Sequence, residues 1–409
     1  MVKIKEIGAK RILNSKGNPT IETTVVLTSG IKGVASVPSG TSVGKYEAVE
    51  LKDTSKVIEN IKKLVAPHLL GLGVNKQQEI DKKLIKLDNT KNKRHLGANS
   101  ILSISIAIAK AAAQSSSVPL FLYLKNLIAG RKLTLKIPTP CFNLINGGKH
   151  GNGNLDFQEF FIIPSPSMLY KDTLNTCLLI YNHLGKILKS RSLPLTTGAE
   201  GGFAPNLKTN AKALFLLRQS VEELGIKIGV DVFFGLDCAA SSFYKNGKYY
   251  IKDRIKSLSS EDLTVYYQDI LQDFPILYLE DPFAEDDWNG WANFPSKVKE
   301  VPLIVGDDLT TTNPSRLRKA LDKKAISGIV IKPNQIGTVS EAIAIVDMAK
   351  HNGLKIIVSH RSGETNDDFI ADFAVAVGAD YVKFGAIIQK ERIAKYDRLL
   401  QIEKQIKAL

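Results

Sequence analysis

PILYLE (residues 275–280) and PLIVGD (residues 302–307) are short apolar runs that each end on a carboxylate, Glu280 and Asp307. Four more stretches have the same form: DVFFGLD to Asp237, ISGIVIK to Lys332, LKIIVSH to His360 and ADYVKF around Lys383. Starting from Asp237, the steps between these ends are 43, 27, 25, 28 and 23 residues. A strand, a loop, a helix and a return loop occupy about that length, so the spacing reads as repeated βα units. In a closed barrel of such units the C-terminal strand ends converge on one face, where the chemistry is done. Three carboxylates, two lysines and a histidine would meet there around one pocket.

At 409 residues the chain exceeds the usual size of one domain, and two are expected. Its 44% apolar and 23% charged residues are ordinary for a soluble protein with a substantial core. No apolar run approaches the ~20 residues needed to span a bilayer. The start, MVKIKEIGAKRIL, lacks the continuous apolar centre of a signal peptide, so a cytoplasmic protein is expected. Cys141, Cys177 and Cys238 are scattered with no CxxC, which argues against a disulfide framework and a zinc–thiolate site and for simple burial. The net charge of +14 comes from lysines dispersed among acids and apolar residues. That pattern fits solvated helix faces better than a nucleic-acid surface, and the charge would also steer small anions toward the pocket.

The first third reads as α+β. IKEIGAKRIL, NPTIETTVVLTS and KGVASVPSG are strand-like and separated by turn signals, which gives a three-stranded meander. Residues 54–72, 75–88 and 98–115 then carry apolar side chains at helical spacing, the last of them apolar on most sides. A domain boundary is expected near 130–137, separating an N-terminal capping domain (1–130) from a C-terminal βα barrel (137–409). The final segment, KERIAKYDRLLQIEKQIKAL, is expected to close the barrel as a helix packed through Ile393, Leu400 and Ile406.

Asp237, Glu280 and Asp307 are hard oxygen donors with no histidine or cysteine among them, the donor set magnesium prefers. Asp281 and Asp308 stand beside two of them as candidate orienting groups. A strand-end carboxylate can also simply cap the next helix. Lys332 ends an apolar strand with little route to water, where a lysine can lose its charge and act as a base. Arg361 and Ser362, in SHRSGET, offer a guanidinium and a hydroxyl to an anion, with Lys383 adding charge from the next strand end. Glu159 sits among aromatic residues on an expected strand. Glu200 lies between glycines in TGAEGGFAPN, and carboxyls in such settings can donate protons. The polar, glycine-containing stretch from Pro38 to Glu47 reads as a lid or as a plain surface loop.

The segments SKGNPT, PSGTSVGKYEAVELKD, LGANSIL, NGGKHGNGNLDFQEF, EGGFAPN, LYLEDPF, VGDDLTTTNP, IKPNQIGT and SHRSGETNDDFIAD, in this order, resemble the enolase family along the whole chain. The resemblance implies an α/β fold: an enolase-type, TIM-like βα barrel preceded by a smaller α+β domain. It also implies reversible dehydration of 2-phosphoglycerate to phosphoenolpyruvate, in glycolysis and gluconeogenesis, with two Mg2+ ions per site. By position, Asp237, Glu280 and Asp307 would hold the tighter ion, and Ser42 a second one that arrives with substrate. Lys332 would take the C2 proton and need a depressed pKa. Glu200, supported by Glu159, would protonate the departing hydroxide. Arg361 and Ser362 would hold the phosphate, with Lys383, Gln158, His150 and His360 lining the pocket. A homodimer or dimer-based oligomer, no membrane insertion and a cytoplasmic enzyme with a secondary cell-surface or secreted pool complete what the resemblance implies.

The resemblance breaks at several places. Ala199 stands where an acid precedes the proposed proton donor, Asn14 and Lys16 where the family has Asp and Arg, and Phe384 where threonine is usual. Ser242 replaces a glutamate, and Ile387 to Lys390 replace the usual PARS. None removes a direct ligand. Two alternatives stay open: another dehydratase of the superfamily, and a weakly active or inactive paralogue that binds a surface or nucleic acid.

Overall fold

The computed structural model describes residues 2–40, 44–128, 134–153 and 155–408. Strands β1 (Ile4–Leu13), β2 (Pro19–Leu27) and β3 (Lys32–Ser36) form the expected antiparallel meander. β2 buries Ile21, Thr23, Val25 and Leu27 by strand alternation. The helix expected over 54–72 is broken into α1 (Thr54–Glu59), a π-helical turn (Asn60–Val65) and α2 (Ala66–Leu69). Pro67 has no amide to donate to the preceding turn, which accounts for the irregular ladder there. After α3 (Gln77–Asp88) comes α4 (Ala98–Ser115), buried everywhere except Lys110, Gln114 and Ser115, and then α5 (Leu120–Asn126). The boundary expected near 130–137 falls partly on residues 129–133, outside the described residues.

A barrel follows. Its strands are β4 (Thr139–Pro140), β5 (Phe142–Asn146), β6 (Glu159–Pro164) and, after helices α6 (Tyr170–Ser190) and α7 (Asn210–Glu222), β7 (Val232–Asp237). A small hairpin, β8 (Tyr244–Lys245) and β9 (Lys248–Tyr249), precedes α8 (Ser260–Asp273). Then strand and helix alternate: β10 (Ile276–Glu280), α9 (Trp288–Asn293), β11 (Leu303–Gly306), α10 (Pro314–Asp322), β12 (Gly328–Ile331), α11 (Val339–His351), β13 (Lys355–Ser359), α12 (Phe369–Ala376), β14 (Tyr381–Lys383) and α13 (Lys390–Lys407).

The sheet order is β4-β14-β13-β12-β11-β10-β7-β6-β5. Only Cys141 separates β4 from β5, and its amide donates to the carbonyl of Val382. One segment, 139–146, therefore pairs with β14 at its start and β6 at its end, and closes a ring of eight staves among the described residues. The barrel is mixed rather than all parallel. β5 and β6 are joined without a crossover helix and pair antiparallel, as do β6 and β7, while β7 and β10 to β14 run parallel. Among the described residues no single helix is long and apolar enough to cross a membrane.

Candidate active site

Strand alternation decides what enters the barrel. Cys141, Phe161, Ile163, Tyr278, Val305, Val330 and Ile357 fill its interior as a separate apolar cluster. Two residues farther along the parallel strands, on the same inward parity, stand Glu280, Asp307, Lys332 and Ser359, and on the antiparallel β6 Glu159 stands two residues before Phe161. Asp237 pairs across the ladder with both Glu159 and Glu280, so three carboxylates stand level on adjacent staves. From the other side Lys383 Nζ reaches them at 2.7 Å (Glu280 Oε1), 3.0 Å (Asp237 Oδ2) and 3.4 Å (Glu159 Oε2).

Above them lies a small cavity, lined by His150, Gln158, Glu159, Glu200, Asp237, Asp307, Lys332, His360, Arg361, Ser362 and Lys383. The structure thus brings together every sequence-derived candidate except two. Glu280 is fully buried just beneath the cavity under Lys383. Ser42 lies outside the described residues.

Asp281 and Asp308 part company. Asp281 adopts φ +42° and its carboxylate accepts the amides of Asp307 (3.0 Å) and Asp308 (2.6 Å). That strained residue fixes the turn that carries Asp307. Asp308 lines the cavity and is pushed up to about 7 by burial and by neighbouring Asp307.

The donor set fits a hard divalent cation. Asp237, Glu280 and Glu159 share one lysine, and Asp307 pairs with Lys332. Burial and the adjacent Asp237 charge push Glu280 well above the usual carboxylate range, so the buried cluster is short of positive charge. Asp237, Glu280 and Asp307, the set the resemblance implies, are the residues that would hold such an ion.

Two protonation states differ from expectation. Burial pulls the Lys332 pKa down, but the Asp307 carboxylate against its ammonium more than reverses this, and Lys332 is raised. Burial and the facing Glu200 carboxylate push Glu159 well above its usual range. Glu200 is also pushed up by burial, yet His360 and His150 outweigh that and hold it low. Glu159 is thus pushed toward its neutral form and Glu200 toward its charged form.

His150 Nδ1 stands between them, 3.1 Å from Glu159 and 3.4 Å from Glu200. The glycines around Glu200 allow this packing. A Cβ on Gly198 would meet the His150 carbonyl at 2.3 Å, and one on Gly385 would meet His360 Cε1 at 2.8 Å.

Sequence reasoning missed three site residues. Glu47, in the loop following β3, pairs with Arg361 at 2.9 Å. Arg392, fully buried on α13, donates to His360 Nδ1 and to the carbonyls of Arg361 and Ser362. Lys395, one turn on, pairs with Glu364 at 3.0 Å. The face expected to pack α13, Ile393, Leu400 and Ile406, is only half-buried; the buried face is Arg392, Lys395, Tyr396, Leu399 and Ile402. The charged heads turn inward because the 360–367 loop presents carbonyls that need donors. The i, i+3, i+4, i+7 spacing of Arg392, Lys395, Tyr396 and Leu399 was the available signal.

The departures are accommodated locally. Asn14 Oδ1 accepts the amides of Lys16 and Asn18 while its Nδ2 donates to Ser39, which holds the turn without a charge. Phe384 is fully buried with its ring 5.8 Å from that of Tyr396. Ala199 keeps only its backbone contacts, donating to His150 and accepting from Arg392, and Ser242 is exposed.

A family model described as the enolase C-terminal TIM barrel domain matches residues 134–408, and one for the enolase N-terminal domain matches residues 4–124. The chain belongs to the enolase family. Both parts of the enolase architecture are therefore present in one chain, and the acid-lined cavity lies at the strand ends where barrel enzymes carry their chemistry.

Proposed function

We propose that this enolase-family chain is a lyase that interconverts 2-phosphoglycerate and phosphoenolpyruvate, with Lys332 as base and the Glu159–Glu200 pair as acid. The observation that carries this reading is their disposition. In the ring of eight staves β12 and β6 are four apart, so Lys332 and Glu159 face each other across the cavity. A base on one wall and an acid on the other suit removal of a proton and a hydroxide from opposite faces of a small substrate.

Magnesium bound by Asp237, Glu280 and Asp307 would supply positive charge beside the substrate carboxylate, where negative charge concentrates as the C2 proton leaves. Lys332 acts as a base only once Asp307 no longer holds its ammonium, because that ion pair is what raises its pKa. The shared proton of Glu159 and Glu200 reaches the departing hydroxide from the opposite wall, with His150 fixing both carboxyls. Arg361 and Ser362, in the cavity lining, hold the phosphate by a guanidinium fork and a hydroxyl. Gln158, which donates to Asp237 at 3.0 Å, and Lys383 hold the carboxylates in register. Ser42 would complete a second magnesium with substrate present. The glycolytic role, the cytoplasmic location and the dimeric assembly belong to the same reading.

The test is exchange of the C2 proton of 2-phosphoglycerate in deuterated buffer, followed by proton NMR with magnesium present. Wild-type protein should exchange it, and Lys332→Ala should not. Exchange that survives in Lys332→Ala would show that another group is the base.

A further inference from the structure

Glu47 lies in the loop that follows β3, and its single carboxylate meets four donors, three of them from the barrel. Its Oε2 lies 2.9 Å from Arg361 Nη1 and its Oε1 lies 3.3 Å from Nη2, a fork between side chains only 5% and 4% exposed. Oε1 also accepts the Gly44 amide at 2.8 Å and Gln335 Nε2 at 3.3 Å. Arg361 Nη1 donates in addition to Asn334 Oδ1 at 3.2 Å. Gln335 itself is braced: its side-chain oxygen accepts Thr312 Oγ1, and its carbonyl accepts the Ala48 amide.

A plain docking role is already filled elsewhere. Lys110 pairs with Asp367, Lys93 with Glu341, and Asp81 accepts both the amide and the hydroxyl of Ser340, so three other contacts tie the N-terminal part to the barrel. What distinguishes Glu47 is that it and its partner Arg361 both line the cavity. A carboxylate spanning both Nη atoms fixes the plane of a guanidinium, and an arginine fixed in advance loses less rotamer freedom when an anion arrives.

We propose that Glu47 is a positioning residue for the anion-binding arginine: it sets Arg361 from the loop side, so phosphate recognition depends on residues 44–48 being seated on the barrel. This rests on the reading of Arg361 as the phosphate-holding residue.

The experiment is a double-mutant cycle read by calorimetric titration of the full chain with inorganic phosphate in the presence of magnesium. Wild type, Glu47→Gln, Arg361→Gln and the double variant are compared. Glu47→Gln should weaken phosphate binding about tenfold, the scale of one charge-assisted hydrogen bond. In the Arg361→Gln background the same change should alter binding by no more than about twofold, because the effect passes through Arg361. Glu47→Asp keeps the charge one methylene short and should recover part of the loss. With 2-phosphoglycerate, KM should rise more than kcat falls. Should Glu47→Gln not fold, Gln335→Leu removes the brace on Glu47 and carries the same cycle. Equal losses in both backgrounds would overturn the proposal, and so would tighter phosphate binding in Glu47→Gln. Coupling between the two residues in a protein that does not turn over 2-phosphoglycerate would uphold the role of Glu47 and overturn the reaction reading alone.

Discussion

Arg392 Nη1 stands 2.7 Å from His360 Nδ1, and because a guanidinium only donates, that contact assigns the imidazole. The His360 proton sits on Nε2, 3.2 Å from Glu200 Oε2. Burial holds the His360 pKa down at about 4, further lowered by Arg392 and only partly restored by Glu200, so the ring is neutral at physiological pH. Arg392→Gln should free the tautomer, which nitrogen NMR of His360 would report. Removing one partner from this buried contact should also cost roughly 3 kcal/mol of stability in denaturant unfolding.

The Glu159–Glu200 pair sets the alkaline side of catalysis. Activity should fall as pH rises through the pair's upper apparent pKa, because the shared proton is lost there. Glu159→Gln leaves Glu200 alone with two histidines that hold it low, so the proton departs at lower pH. The alkaline limb of kcat against pH should move to lower pH in this variant, with a loss at pH 8 of about tenfold or more.

Glu50 gives the fold a pH dependence of its own. Burial raises its pKa from 4.5 to about 7, Arg361 opposing and Glu47 adding to the shift. The folded state binds this proton more tightly than the unfolded chain, so the contribution is fully present below the unfolded value and is lost as pH rises to about 7. The shift corresponds to roughly 3 kcal/mol. Glu50→Gln should therefore gain stability relative to wild type between pH 5 and pH 8 in chemical denaturation.

Asp81 joins α3 to the first turn of α11. It is fully buried, pairs with no cation among the described residues, and accepts from Gln77, Ser105 and both polar groups of Ser340. Asp81→Ala leaves those donors unpaired and should cost about 2–4 kcal/mol, read as a shift of the unfolding midpoint. Asp81→Asn keeps an acceptor and should cost less, because burial already pushes the carboxyl toward its neutral form.

The barrel and most of the site were legible because two periods coincide. The βα spacing located the strand ends, and the two-residue alternation within each strand puts Glu159, Asp237, Glu280, Asp307, Lys332 and Lys383 on the inward parity. His360 lies one residue past that parity, which is why it stands against the wall with Glu200 and Arg392 rather than over the carboxylates. What periodicity could not reach came from long-range closure. Glu47 and Arg361 are 314 positions apart, and no local pattern marks an acid in a loop as the partner of a distant arginine. Arg392 and Lys395 were hidden for another reason, since charges on a terminal helix ordinarily face water and these turn inward to satisfy loop carbonyls. The antiparallel start of the barrel was likewise invisible to a reading built on the later, parallel repeats.

The most direct test of the central claim is the ultraviolet absorbance of phosphoenolpyruvate formed from 2-phosphoglycerate by the pure, folded protein, with magnesium and after chelation. The account predicts turnover that requires magnesium and is abolished in Lys332→Ala while that variant remains folded. Absence of turnover by folded wild-type protein at saturating substrate and magnesium would contradict it.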